Sequence, residues 1–279
     1  MIDSLRYVSE QHRWDSFLVA HTEFPKARWE EVQQMLKYID PQQGERIIEF
    51  GTGSGYLTQP LALAIKPGEV ITYDVVLGNL KSIYSVTEEQ QLMVTPKLFP
   101  FPGQYRYRFE EEGESIDKVV SLATFHHCDV HKTSYHSFGT GVQGRSSIFQ
   151  EAARVLVPQG KLIIGDVADN TTAQRYFDAI QSPRYCAPFG HPHSFLSEVI
   201  AAELCRQSGF TLSKYHVQPT PWNFRSRADA ILFLQRLHNA QCSLEELGAI
   251  VQQHLPFKET ATGVEVAWEL CFLVAEKVA

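Results

Sequence analysis

Long apolar runs are missing from this 279-residue chain: none approaches the roughly 18 residues that span a bilayer. The opening stretch "MIDSLRYVSEQHRWD" likewise lacks the apolar core of a secretory signal. The expectation is a cytoplasmic protein with no membrane partner. A basic surplus is also missing, since 25 Lys and Arg face 32 Asp and Glu for a formal charge of −7, and no Lys/Arg run interleaves with aromatics. A surface that tracks phosphates needs both features, so the expected partner is a small molecule and not nucleic acid. Cysteine is sparse and unpatterned. Cys128, Cys186, Cys205, Cys242 and Cys271 form an odd set without a CxxC pair, which argues against a disulfide framework and against a zinc knuckle. No internal repeat or low-complexity tract occurs.

What is present reads as alternating strands and helices. Residues 1–40 form a helical cap, in which "ARWEEVQQMLKYI" repeats Val32, Met35, Leu36 and Ile39 at helical spacing before "DPQQGE" ends it. "RIIEF" is a short buried strand, "YLTQPLALAI" a helix stopped by "KPGE", and "VITYD" a second strand, which together make a β-turn-α-β unit and predict a parallel sheet. A helix over "LGNLKSIYSVTEEQQLM" and a Pro-rich connection "TPKLFPFPG" come next, with "YRYRF" at Tyr105 to Phe109 as the candidate third strand. "IDKVVSLATF", the helix "SSIFQEAARVL", the turn "VPQG" and the strand "KLIIGDV" continue the pattern. Further on, "TTAQRYFDAI" and "LSEVIAAELCRQSG" are helices and "FTLSKYHVQ" a strand. A helical insertion at about 225–256 then precedes a last strand at Val264 to Val274.

The chemistry starts at "EFGTGSGY". An open α/β sheet binds ligands beyond the carboxyl ends of its strands, beside the first of them, and this turn sits there. Gly51 and Gly53 allow backbone conformations closed to residues with a Cβ, and Gly55 opens a helix whose free N–H groups favour an anionic group. A dinucleotide fingerprint requires a small residue where Tyr56 stands, which counts against an NAD(P)-dependent oxidoreductase.

The motif resembles the E/D-x-G-x-G-x-G signature of class I S-adenosylmethionine-dependent methyltransferases, with Glu49, Gly51, Gly53 and Gly55 on its defining positions. Asp74 at the end of "VITYD" matches the acidic residue with which that family holds the cofactor's ribose hydroxyls. "IDKVVSLATFHHC" resembles its fourth strand and following "LHH" signature, and "ARVLVPQGKLIIGDV" its "LKPGG" turn and fifth strand. The ordered set covers roughly residues 45–166. The resemblance implies an α/β fold: a Rossmann-like, mostly parallel sheet with an antiparallel last strand and α-helical lid additions, the methyltransferase domain running over 41–279. It implies S-adenosyl-L-methionine as cofactor, bound by Glu49, Gly51, Gly53, Gly55 and Asp74, with Thr124 from the loop after the fourth strand. The family's adenine-side acidic pair has no clean counterpart, and Glu110 and Glu111 are the nearest candidates.

In that family the same loop borders cofactor and substrate, which makes His126 and His127 candidate catalytic bases. His127 and His131 share the elementary spacing of a metal pair, but no carboxylate motif accompanies them and no metal is expected. Tyr7, Trp14, His191 and Trp222, from aromatic-rich additions, are candidate substrate contacts for a small, partly apolar metabolite, in likeness to the family's small-molecule (methyltransferase type 11/25-like) branch. A cofactor-binding module or partner subunit without turnover is the remaining alternative.

Overall fold

The computed structural model describes residues 15–99, 107–128, 143–186 and 193–278. Residues 15–23 are helical, and the helix Trp29–Ile39 follows, turning Val32, Met35 and Ile39 inward. Its successors in chain order are strand β1 (Arg46–Phe50), the helix Thr58–Ile65, β2 (Glu69–Asp74), the helix Leu77–Glu89, β3 (Val94–Leu98) and β4 (Ile116–Leu122). The helix Gln143–Val155 precedes β5 (Leu156–Asp166), and the helices Thr172–Ile180 and Glu198–Gln207 precede β6 (Phe210–Pro219). β7 (Trp222–Phe224), the helices Arg227–Leu237 and Leu244–His254, β8 (Phe257–Thr260), β9 (Gly263–Val266) and β10 (Glu269–Lys277) complete the chain.

Seven strands form one sheet in the order β3-β2-β1-β4-β5-β10-β6. β1 pairs in parallel with β2 and β4, β2 with β3, and β4 with β5, whereas β10 runs antiparallel to β5. Ile47, Ile48, Val70, Val119, Val120, Leu162 and Ile163 are sealed from solvent. Such unbroken apolar runs are what a parallel sheet covered on both faces demands. The order reverses at β1, whose neighbours β2 and β4 lead away on either side, so the turn after Phe50 lies at the switch point.

Three expectations about strands are corrected. The third strand is Val94–Leu98, not Tyr105 to Phe109; Tyr107 to Phe109 are irregular, and 105–106 lie outside the described residues. Pro96 disguises it. The odd-numbered neighbours bond to β2, Met93 accepting from Val70 N–H at 3.0 Å and Phe99 donating to Asp74 O at 2.8 Å. Position 96 therefore faces the unpaired side, where a missing N–H costs nothing and blocks edge pairing. The "VPQG" turn is absorbed into β5 as a break in register: the pairing steps from Ile116↔Leu156 to Lys118↔Lys161, with Gln159 at φ 65°. The last strand is two strands. At Ala267 and Trp268 the backbone bonds to Pro256 O and Thr220 N–H instead of a ladder, which parts β9 from β10.

Contacts divide the chain into two compact units. One comprises Val32–Val167, His193–Gln218 and Cys271–Ala279 and carries the large sheet. The other gathers the described parts of Met1–Glu31, Ala168–Pro192 and Pro219–Leu270, so it draws on more of the chain than a cap over 1–40 and an insertion at 225–256. Among the described residues it holds the small antiparallel sheet β7-β9-β8, the helical residues 15–23 and three further helices, each of the three entered through a side-chain cap. Thr171, Ser226 and Ser243 accept from the N–H of Gln174, Asp229 and Glu246 at 3.1–3.2 Å.

Candidate active site

The glycine turn carries all three glycines at positive φ: 82° at Gly51, 53° at Gly53 and 78° at Gly55. At two of them a side chain would also meet a neighbour. A Cβ on Gly51 would fall on the Thr124 side chain, and one on Gly55 would meet Ile83 Cδ1 at 2.9 Å. Thr124 is brought there by Ala123, which itself takes φ 54° directly after β4 and donates its N–H to Gly165 O at 2.7 Å. The sheet switch point, the turn and the loop after β4 thus converge.

Two carboxylates hold the turn from inside. Glu49 on β1 accepts from Thr58 Oγ at 2.5 Å and from Thr72 Oγ at 2.8 Å, and Thr52 Oγ lies 2.6 Å from Thr72 Oγ. Complete burial pushes its carboxyl up to about 7 despite the two hydroxyl donors, and the Asp74 charge adds to the shift. Asp74, at the carboxyl end of β2, accepts from Gly53 N–H and Val76 N–H at 2.8 Å and from Asn79 Nδ2 at 3.2 Å. Burial raises it too, and those N–H donors limit the rise. Asn79 is fully buried, and its Oδ1 has no hydrogen-bond partner among the described residues. A turn whose backbone is bare at three points, a carboxylate at the end of the adjacent strand and an unspent amide oxygen beside it suit a polyhydroxylated, nucleoside-type ligand.

Glu110 is placed elsewhere. Tyr73 and Asp74 are consecutive on β2, so their side chains leave opposite faces. Glu110 N–H donates to Tyr73 Oη at 2.9 Å, Tyr73 Oη donates to Glu111 at 2.8 Å, and Lys97 Nζ pairs with both glutamates at 3.0 and 2.7 Å. The Glu110 side chain is 68 % exposed. This cluster braces the approach to β4 and is not gathered with Asp74.

His126 and His127 form a 3-10 turn, Phe125–His127, immediately after Thr124, with ring centroids 4.0 Å apart. His126 is 5 % exposed, and its Nδ1 lies 2.7 Å from Oδ1 of Asp166, the last residue of β5. Asp166 also accepts the His126 and Val167 N–H groups at 2.9 and 2.7 Å. Ser194 N–H donates to His126 O at 3.0 Å, and Phe195 stacks on His193 at 4.3 Å and lies 5.9 Å from the His126 ring. Arg145, 4 % exposed, holds the same segment through Ser194 Oγ at 3.1 Å. Asp166 was missed in the sequence reading, although "LIIGDV" carries the signal that identified Asp74: an acidic residue closing a buried apolar strand.

The candidate substrate contacts fare differently. Tyr7, Trp14 and His191, like His131, lie outside the described residues. Trp222 is a correction, since it is 1 % exposed in the core of the smaller unit. It stacks on Trp268 at 4.0 Å and donates Nε1–H to Glu31 at 2.6 Å, while Glu31 also takes Arg28 at 2.6 Å. An indole with both face and N–H engaged presents nothing to a substrate. His21 closes this network against Arg28 at 3.3 Å, and burial, with the Arg28 charge, lowers its pKa to about 3. No group of three or more His, Cys, Asp or Glu side chains able to hold a metal occurs among the described residues.

The topology, the switch-point turn and the paired carboxylates define a Rossmann-like nucleoside-cofactor protein. Residues 19–215 match the family described as "Methyltransferase domain", and the chain belongs to that family. The family is one of methyltransferases. In fold the chain is similar to a putative methyltransferase from Bacillus halodurans at TM-score 0.60 and 18 % identity, over 89 % of this chain and 99 % of that one. It is also similar to the putative methyltransferase in a complex with the Haloferax volcanii Trm112 methyltransferase activator, at TM-score 0.60 and 13 % identity over 95 % and 98 %. A geranyl diphosphate methyltransferase in complex with SAM aligns at TM-score 0.55 and 9 % identity over 88 % and 84 %. No curated protein matches the chain significantly in sequence.

Proposed function

We propose that the chain methylates a small, partly apolar metabolite, using His126 as general base and the glycine turn as cofactor cradle. The cofactor, when bound, supplies a methyl group on a sulfonium, already activated for in-line attack. Gly51, Gly53 and Gly55 let its amino-acid end approach the main chain, Glu49 stiffens that cradle through Thr58 and Thr72, and Asp74 with Asn79 receives the ribose hydroxyls. Thr124 packs against Gly51 and so fixes the loop that presents His126 to the acceptor. The chain's task is then orientation, exclusion of water and removal of one proton by the His126 imidazole.

The observation that carries this reading is the placement of a buried, carboxylate-held imidazole two residues after the Thr124 that touches the cofactor turn. Similarity to a geranyl diphosphate methyltransferase and to a putative sarcosine dimethylglycine methyltransferase supports a small acceptor. The test is transfer of labelled methyl from S-adenosylmethionine into a metabolite extract. Label should enter a small-molecule fraction, and His126→Ala should lower incorporation at least tenfold while S-adenosylhomocysteine still binds. Label found only in protein or RNA would refute a metabolite acceptor.

A further inference from the structure

Two carboxylates, Glu49 and Asp74, serve one turn, and among the described residues no cation accompanies them. In the register of the sheet Glu49 stands beside Thr72 of β2 and Val120 of β4. Thr72 and Asp74, two residues apart, leave β2 on that same face. The turn "GTGSGYL" contributes the Tyr56 phenol and no charged residue, and the helix Thr58–Ile65 has none either. On β4, Lys118 is bonded to Glu45 at 2.7 Å and to Asp40 O at 2.8 Å. From the helix Leu77–Glu89 Asn79 reaches Asp74, while its charged residues Lys81, Glu88 and Glu89 are exposed. The charge that acts on Glu49 is that of Asp74, and it has the same sign. The two carboxylates are not equally provided for. Asp74 accepts two main-chain N–H groups and an amide. Glu49, 2 % exposed, accepts two hydroxyls, from Thr58 and Thr72, and both fall on Oε2. Oε1 has no hydrogen bond among the described residues. A buried carboxylate with one bare oxygen and a like charge nearby is unfavourable, and keeping its proton relieves both faults.

We infer that Glu49 is a proton-linked member of the cradle, neutral in the free protein and ionised once a cationic group lies in the turn, so that binding of the cofactor releases a proton. This rests on the reading of the turn as the seat of the cofactor's amino-acid end. That end carries an ammonium, which supplies the positive charge and the N–H donors that the two carboxylates lack. The Glu49 O–H bond breaks, its electron pair stays on the carboxylate, and the proton passes to the buffer. The ammonium then favours the ionised form, so affinity increases as pH rises and levels off once the free protein has lost the proton unaided. Since burial and the Asp74 charge bring the free carboxyl up to about 7, affinity should change about tenfold between pH 6 and pH 8. Occupancy of the cradle at a fixed cofactor concentration thus follows pH.

The test is calorimetric titration of the full-length protein with S-adenosylhomocysteine, which carries the same amino-acid end, in pairs of buffers that differ in ionisation enthalpy. The dependence of the observed heat on that enthalpy counts the protons released. Wild type should release about one proton per ligand at pH 6 and about none at pH 8, with a Kd about tenfold tighter at pH 8. Glu49→Gln keeps the shape of the neutral carboxyl. It should abolish the release at pH 6, flatten the pH dependence and bind at least tenfold more weakly than wild type at pH 8. Binding by wild type without release at pH 6, or with equal release at both pH values, overturns the inference, and this arm depends on no variant folding. Release that persists in Glu49→Gln overturns it too, because the proton then comes from another group, such as Asp74 or a histidine of the loop after β4. Absence of any binding at either pH would instead refute the cradle reading itself, and the inference with it.

Discussion

Gly44 and Gly51 share a positive φ, 85° and 82°, but not their surroundings: nothing lies within 4 Å of a Cβ built on Gly44, whereas one on Gly51 strikes Thr124. Gly44→Ala should therefore cost only backbone strain, about 1 kcal/mol in a denaturant melt. Gly51→Ala must displace the loop after β4 as well, and should weaken S-adenosylhomocysteine binding at least tenfold by calorimetry. Equal effects would mean that the Thr124 contact is unimportant. Glu49 gives a second expectation. Its carboxyl is raised from 4.5 to about 7 by burial, so the folded state holds its proton more tightly than the unfolded chain. This contribution to stability is complete below pH 4.5 and is lost as pH rises through about 7, a change on the order of 3 kcal/mol. Glu49→Gln should flatten that part of the stability–pH curve and gain relative stability at pH 8; an unaltered curve would show that Glu49 is ionised throughout.

The elements explain what could be read in advance. β1, the glycine turn, β2, β4 and β5 were legible because parallel core strands are unbroken apolar runs and the turn needs three bare backbone positions. β3 was not, because Pro96 is normally evidence against a strand and is tolerated only where its nitrogen faces the open edge. The break between β9 and β10 was hidden for the opposite reason, as "GVEVAWELCFLVAEKV" alternates without interruption and the division is made by bonds from Ala267 and Trp268 to distant partners. Asp74 was legible as a candidate cofactor residue, but not the part it plays in closing the turn through Gly53 N–H and Val76 N–H. Asp74→Ala should thus lower thermal stability as well as weaken S-adenosylhomocysteine affinity more than tenfold. Loss of affinity with an unchanged melting temperature would assign Asp74 to the ligand alone.

Across the whole molecule, the candidate site and the packed aromatics draw on different parts of the sequence. The larger unit carries Glu49, the glycines, Asp74, Thr124, His126 and Asp166, all near strand ends, where local pattern reveals them. The smaller unit is assembled from segments far apart in sequence, so its aromatics resemble pocket residues until their partners are known. Trp222 is the example: its bond to Glu31 joins residues 191 positions apart. Trp222→Ala should cost about 3–5 kcal/mol in stability. Affinity for S-adenosylhomocysteine, measured well below the new melting temperature, should be unchanged.

The central claim is that "EFGTGSGY" cradles S-adenosylmethionine and not a dinucleotide. Calorimetric titration of the full-length chain with S-adenosylhomocysteine and, separately, with NADH tests it most directly. The expected result is saturable binding of S-adenosylhomocysteine, weakened at least tenfold by Gly51→Ala and by Asp74→Ala, with no heat from NADH. Binding of NADH alone, or S-adenosylhomocysteine binding that neither substitution disturbs, would contradict it.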